Sequence, residues 1–92
     1  MRAIKKPVPV EVWQIDESGW GTEEIPNWVD ELITLGYLGL YTDSLLDENK
    51  VELETLEGTM TGHLDDYLVK GNHDDVWIVQ KEIFEDTYSI VD

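Results

Sequence analysis

In VPVEVWQI, Val8, Val10 and Val12 alternate with Pro9, Glu11 and Trp13. This two-residue period, carried by β-branched and aromatic side chains, predicts a strand from Val8 to Ile15. Pro7 and Pro9 suit the start of an edge strand, where a missing N–H costs the ladder least. After the turn-like DESGWGTEE the period changes to three and four: Ile25, Trp28, Val29, Leu32 and Leu35 share one stripe of IPNWVDELITLG. Pro26 fits the first helical position and Gly36 the place just past the end, so the spacing predicts an amphipathic helix over residues 26–35, with Trp28 and Leu32 against a sheet. YLGLYTDS follows as a short strand.

KVELETLEGTMTGHL carries the clearest local signal. A two-residue loop at Glu57-Gly58 would pair Leu56 with Thr59, Glu54 with Thr61, Leu53 with Gly62 and Glu52 with His63. Val51, Leu53, Met60 and Leu64 then fall on one face, and Glu52, Glu54, Thr59, Thr61 and His63 on the other. YLVKG and VWIV read as two further strands joined by a five-residue loop through GNHDD. Phe84 and Tyr88 stand four apart in KEIFEDTY, which predicts a helical turn before a short extended end. The expected fold is α+β: a small antiparallel sheet of about five strands with one principal amphipathic helix packed on it.

A chain of 92 residues has room for one domain, residues 1–92, and one core. Four Trp, four Tyr and one Phe within a 41% hydrophobic composition are too much large apolar surface for a disordered acidic tail. The absence of cysteine excludes disulfides and thiolate zinc sites, so stability has to come from packing or self-association, and an intracellular setting is expected. MRAIKKPVPVEVW has basic residues but no apolar run, and no stretch approaches the roughly 20 apolar residues of a membrane span.

Charge changes the picture most. Arg2, Lys5 and Lys6 all precede the first acid, so residues 11–92 hold three lysines against 21 carboxylates, a formal charge of −18. Such a surface repels nucleic acid and anionic membranes and attracts basic proteins. The plainer reading is that acidity only keeps the protein soluble.

HLDDYLVKGNHDDVW contains both histidines, His63 and His73, and the pairs Asp65-Asp66 and Asp74-Asp75. A metal site would need the two imidazoles and a carboxylate to converge through tertiary folding, since neither H-x-H nor H-x-x-x-H spacing occurs. The preferred reading is a hairpin with acidic ends, in which His63 faces Glu52 across the strands. Asp74-Asp75 lacks the spacing of a calcium loop, and the chain has no phosphate-binding glycine loop and no activated nucleophile. No catalytic, cofactor or metal residue is therefore assigned. The candidates for partner contact are Trp20, set between glycines, with Glu23 and Glu24, then Glu52 and Glu54 on the polar hairpin face, and Asp74 and Asp75 in the loop.

In order along the chain stand KKPVPVEVWQ, TLEG, DDYLVKG, VW and FEDTY. This series resembles the PGDYG family of short phage and prophage proteins, which tend to show a KPVPVEAWQ-like opening, a LEG turn, a PGDYLV(K/R)G core and a terminal F-x-x-x-Y. The resemblance covers both ends and the C-terminal half and is loose over residues 16–50. Where the family has Pro-Gly-Asp-Tyr, this chain has Leu64-Asp65-Asp66-Tyr67. The family glycine implies positive φ at that corner, and Asp is one of the few other residues that enters the left-handed region at modest cost.

The resemblance implies phage origin, hence the cytoplasm of a bacterial host, and supplies no catalytic residues. The expected function is that of a small accessory protein that binds a basic or nucleic-acid-binding protein, without touching nucleic acid or membrane itself. A DNA-mimic inhibitor of the anti-CRISPR or anti-restriction type belongs to this class. The alternative is a structural or interaction module, a homodimer included, whose acidity serves solubility. A small metal-dependent enzyme around His63, His73 and the Asp pairs comes third.

Overall fold

Cross-strand pairing sorts the apolar residues into two facing layers. A computed structural model describes residues 1–3, 9–16, 25–43, 48–71, 73 and 75–90. In chain order the elements are β1 (Glu11–Gln14), α1 (Asn27–Thr34), β2 (Leu38–Asp43), β3 (Glu48–Thr55), β4 (Gly58–His63), β5 (Tyr67–Lys70), β6 (Val76–Val79) and α2 (Lys81–Thr87). The fold is α+β, as expected, but the strands form two antiparallel three-stranded sheets, ordered β1-β5-β6 and β2-β3-β4. A second short helix joins the principal one.

In the second sheet Leu38 pairs with Leu53 and Leu53 with Met60, while Leu40 pairs with Val51 and Val51 with Gly62, so all six share a face. In the first sheet Trp13, Leu68 and Ile78 make one row. The two faces close on each other around a cluster of Ile15, Ile25, Val29, Leu38, Val51, Leu53, Leu68 and Ile78, to which α1 contributes Val29. Trp13, Trp28 and Leu32 pack against this cluster.

Gly62 is where the sheets come closest. A Cβ there would lie 2.8 Å from Ile78 Cγ2 and 3.3 Å from its Cδ1. Ile78 is buried and stiff at χ1, so it has little freedom to retreat. Gly62→Ala should therefore cost about 1–3 kcal/mol, measured as a lower urea midpoint with an unchanged m-value. A midpoint equal to that of the parent protein would mean that the layers slide freely.

Helix α1 ends as its sequence predicts. Gly36 takes φ +84°, its N–H bonds Ile33 O at 3.1 Å and the Tyr37 N–H bonds Leu32 O at 2.9 Å, the two bonds of a Schellman cap. Pro26 occupies the N-cap itself, one place earlier than the expected first helical position, and its carbonyl accepts from Val29 and Asp30, each at 3.0 Å.

The β3–β4 hairpin differs in register from expectation. Thr55 pairs with Gly58, Glu54 with Thr59, Glu52 with Thr61 and Lys50 with His63, so the loop is Leu56-Glu57. A loop at Glu57-Gly58 of the common tight type would require positive φ at Glu57 as well as at Gly58. Gly58 alone takes it, at φ +122°, and the Thr55 hydroxyl closes the tip by donating to Gly58 O at 2.7 Å and accepting the Glu57 N–H at 3.2 Å. The shift of two places leaves every side chain on its expected face.

Between β4 and β5 the chain passes from one sheet to the other at Asp65, the one non-glycine residue with positive φ (+75°) among those described. Beyond β6, α2 lies on the far face of the first sheet, where the Phe84 ring stacks on Tyr67 from β5.

Candidate functional site

The outward face of β2-β3-β4 is built by the residues that alternate with the core. Gly39, Glu52 and Thr61 form one row across the strands, and Tyr41, Lys50 and His63 the next. Glu54 pairs with Thr59, whose hydroxyl donates to the Glu54 carboxylate at 3.1 Å. Tyr37, just before β2, accepts the Glu54 N–H on its carbonyl at 2.8 Å and so extends the sheet by one position.

Tyr41 folds back over Gly39: a Cβ at Gly39 would stand 2.8 Å from its Cε2 and 3.0 Å from its hydroxyl oxygen. Only a glycine leaves the ring room to lie along the strand. Tyr37 and Tyr41 remain 50% and 56% exposed. The face thus offers two aromatic rings with hydroxyls, two carboxylates and two threonine hydroxyls on a rigid antiparallel scaffold, with Lys50 as its lysine. Such a surface can grip a cationic, amphipathic counterpart. Tyrosine supplies contact area with few rotatable bonds, and carboxylates accept from guanidinium and ammonium groups.

Of the candidate contacts, Glu52 and Glu54 are brought together on this face, Glu52 half-buried and Glu54 exposed. Asp75 is exposed in the β5–β6 loop, in the other sheet, where its carbonyl accepts the Gly71 N–H at 2.8 Å. Trp20, Glu23, Glu24 and Asp74 lie outside the described residues. Tyr37 and Tyr41 were not among the sequence candidates. Their signal is the Tyr37-Gly39-Tyr41 alternation in YLGLY, half hidden by the glycines.

The histidine and aspartate stretch resolves into a structural device. His63 lies opposite Lys50, not Glu52, because of the register shift, and its carboxylate neighbour is Asp66, at 3.8 Å from Nδ1. Asp66 is 8% exposed and uses both oxygens on backbone: Oδ2 accepts the His63 N–H at 2.9 Å and Oδ1 the Lys81 N–H at 3.0 Å. One carboxylate thereby ties the end of β4 to the first turn of α2. His73 is exposed in its loop, and no group of three His, Asp or Glu placed to hold a metal occurs among the described residues.

Acids also line both helices. Asp30 and Glu31 on α1 and Glu82, Glu85 and Asp86 on α2 are exposed, and neither helix has a basic residue in its last turn. Glu85 and Asp86 sit at the negative end of the α2 dipole, where a carboxylate costs about 0.3–1 kcal/mol. Their charge does not serve helix stability.

No family model, no curated protein and no solved structure matches this chain. None of the described helices is long and apolar enough to cross a membrane.

Proposed function

We propose that this chain is a small acidic binding protein that docks the outward face of β2-β3-β4 on a basic, nucleic-acid-binding surface of a partner protein and so competes with the partner's nucleic acid. The observation that carries this reading is the presence of Glu52 and Glu54 together with the half-exposed rings of Tyr37 and Tyr41 on one sheet face. The resemblance of its sequence motifs to phage and prophage proteins supports looking for such a partner in the bacterial cytoplasm, among enzymes that act on invading DNA.

Magnitudes assign separate tasks to charge and rings. The molecule measures 50 × 28 × 28 Å and carries a formal charge of −15. A duplex 50 Å long carries roughly 30 phosphates, so the protein presents about half that charge along a similar length. Its field speeds and orients encounter, and the tyrosines prolong residence. Self-association would bring two charges of this size together, which ranks a homodimer second.

The test begins with capture from bacterial lysate at low salt, identification of the partner, and measurement of its Kd with purified components. Raising salt from 50 to 300 mM should weaken the complex steeply, and the Glu52→Lys/Glu54→Lys variant should lose at least tenfold in affinity with its fold intact. Tyr41→Ala should shorten the lifetime of the complex while leaving kon nearly unchanged. An affinity indifferent to salt and to the charge reversal would remove the proposal.

A further inference from the structure

The outer edge of β1 lies at the bottom of a groove. Ile15 donates its N–H to Asp66 O at 2.8 Å and accepts the Asp65 N–H at 2.9 Å, so the odd-numbered residues of β1 bond toward β5. By the alternation of an antiparallel pair, Val12 and Gln14 direct their N–H and C=O groups the other way. Among the described residues no strand pairs with that side, since β1 is the edge of its sheet.

Edges of this kind are usually blunted by proline, by lysine or by a covering element. Pro9 stands two residues before Glu11, in phase with the side bonded to β5, so its missing N–H ends the pairing with β5 and leaves the open side untouched. The covering is partial. A groove of about 720 Å³ runs along the edge, lined by Val10, Glu11 and Val12 on the strand, Trp28 of α1 on one wall, and Tyr88 and Ile90 beyond α2 on the other. This volume is within the roughly 300–1,000 Å³ typical of sites that hold a ligand.

We infer that this groove takes an extended, basic peptide segment of a partner protein, which adds to the β1-β5-β6 sheet as a fourth strand beside β1. Main-chain bonds to Val12 and Gln14 set its register. Its alternate side chains point to the Trp28 wall and to the Tyr88 and Ile90 wall, both apolar, which selects Val, Ile or Leu at successive contacts. Charge sets the remainder. Glu11, whose carboxylate lies 4.0 Å from Lys70 Nζ, lines the groove, and the larger share of the charge comes from Asp30, Glu31, Glu85 and Asp86, exposed on the two helices that wall it. The flanking positions of the peptide are therefore Lys or Arg. The inference shares with the proposed function only the negative charge of the chain, because the groove and the tyrosine face belong to different sheets.

The experiment uses the whole 92-residue chain, isotopically labelled, and three synthetic probes: a KKVIVKK peptide, its EEVIVEE counterpart, and KKVIVKK with alternate backbone nitrogens methylated. The basic peptide should shift the amide resonances of Val10, Val12 and Ile90 and slow hydrogen exchange at the Val12 and Gln14 amides at least tenfold. The acidic and methylated probes should do neither. Ile90→Ser, at a position 60% exposed, should weaken the basic peptide severalfold without loss of folding. Glu52→Lys/Glu54→Lys should bind it within twofold of the parent protein, so the groove and the tyrosine face fail or stand separately. The inference is overturned if the shifts map to the outward face of β2-β3-β4, if methylation makes no difference, or if Val12 and Gln14 are already protected in the free protein because its own chain covers the edge.

Discussion

Phe84→Ala is expected to remove about 3–5 kcal/mol of stability, the range for truncating a buried phenylalanine. Phe84 is 2% exposed and is the buried residue of α2. Its ring lies between Tyr67, at 3.8 Å between centroids and 14° between planes, and Tyr88, at 4.7 Å and 10°. A seven-residue helix does not hold itself together in water, so α2 depends on what its buried side touches. Deleting the middle ring breaks both stacks and opens a void beneath the helix. A domain of this length has a total stability of roughly 5–14 kcal/mol, of which the loss is about a fifth or more. Urea denaturation should show the fall, and near-ultraviolet circular dichroism should show the tyrosine signals collapse. Phe84→Leu keeps most of the volume and should retain most of the stability. A loss below about 1 kcal/mol for the alanine variant would mean that α2 is held elsewhere.

Most of the local structure could be read from the chain because each element agrees with its own chemistry. Leu32, Gly36 and Tyr37 produce the end of α1 that the glycine announces. Phe84 and Tyr88 stand four apart and stack, with the extended residue Tyr88 closing the helix as expected. Asp65 takes the left-handed conformation expected at that corner, which Asp tolerates better than most residues. Two features were not legible, for physical reasons. A hairpin slipped by two residues keeps all side chains on their faces, so the hydrophobic pattern is blind to the difference between a loop at Glu57-Gly58 and one at Leu56-Glu57. The division into two sheets is hidden because neither the alternation along β4 nor the consecutive buried pair Leu68-Val69 in β5 says which strand lies alongside. Only the pivot at Asp65 separates them. The candidate face was half visible. Glu52 and Glu54 could be placed outward by parity, and the expected strand YLGLYTDS puts Tyr37 and Tyr41 on the face opposite Leu38 and Leu40 by the same parity, a signal that charge alone leaves unused.

The two adjacent acids at that pivot should respond in opposite ways to substitution. Asp66→Ala removes a buried carboxylate that accepts from His63 N–H at 2.9 Å and Lys81 N–H at 3.0 Å. The N-cap residue of α2, Gln80, offers no side-chain bond, so this carboxylate, fifteen residues away in sequence, does the capping. Hydrogen bonds to a charged group contribute about 1.5–3 kcal/mol each, and their donors are left partly buried when the group is lost. A fall of roughly 3 kcal/mol follows, allowing for water that reaches the vacated space. Asp66→Asn should not rescue it. One of its two terminal atoms becomes an NH₂ donor facing a backbone donor, so about 2 kcal/mol should still be lost. Hydrogen exchange at the Lys81 amide should accelerate in both variants, which separates loss of the cap from general loosening. Asp65→Gly, one residue earlier, relieves a side chain held at φ +75° and should leave stability unchanged or raise it by a few tenths of a kcal/mol. Equal losses at the two positions would show that the corner depends on bulk negative charge, and the proposed division of labour between a cap at Asp66 and a hinge at Asp65 would fail.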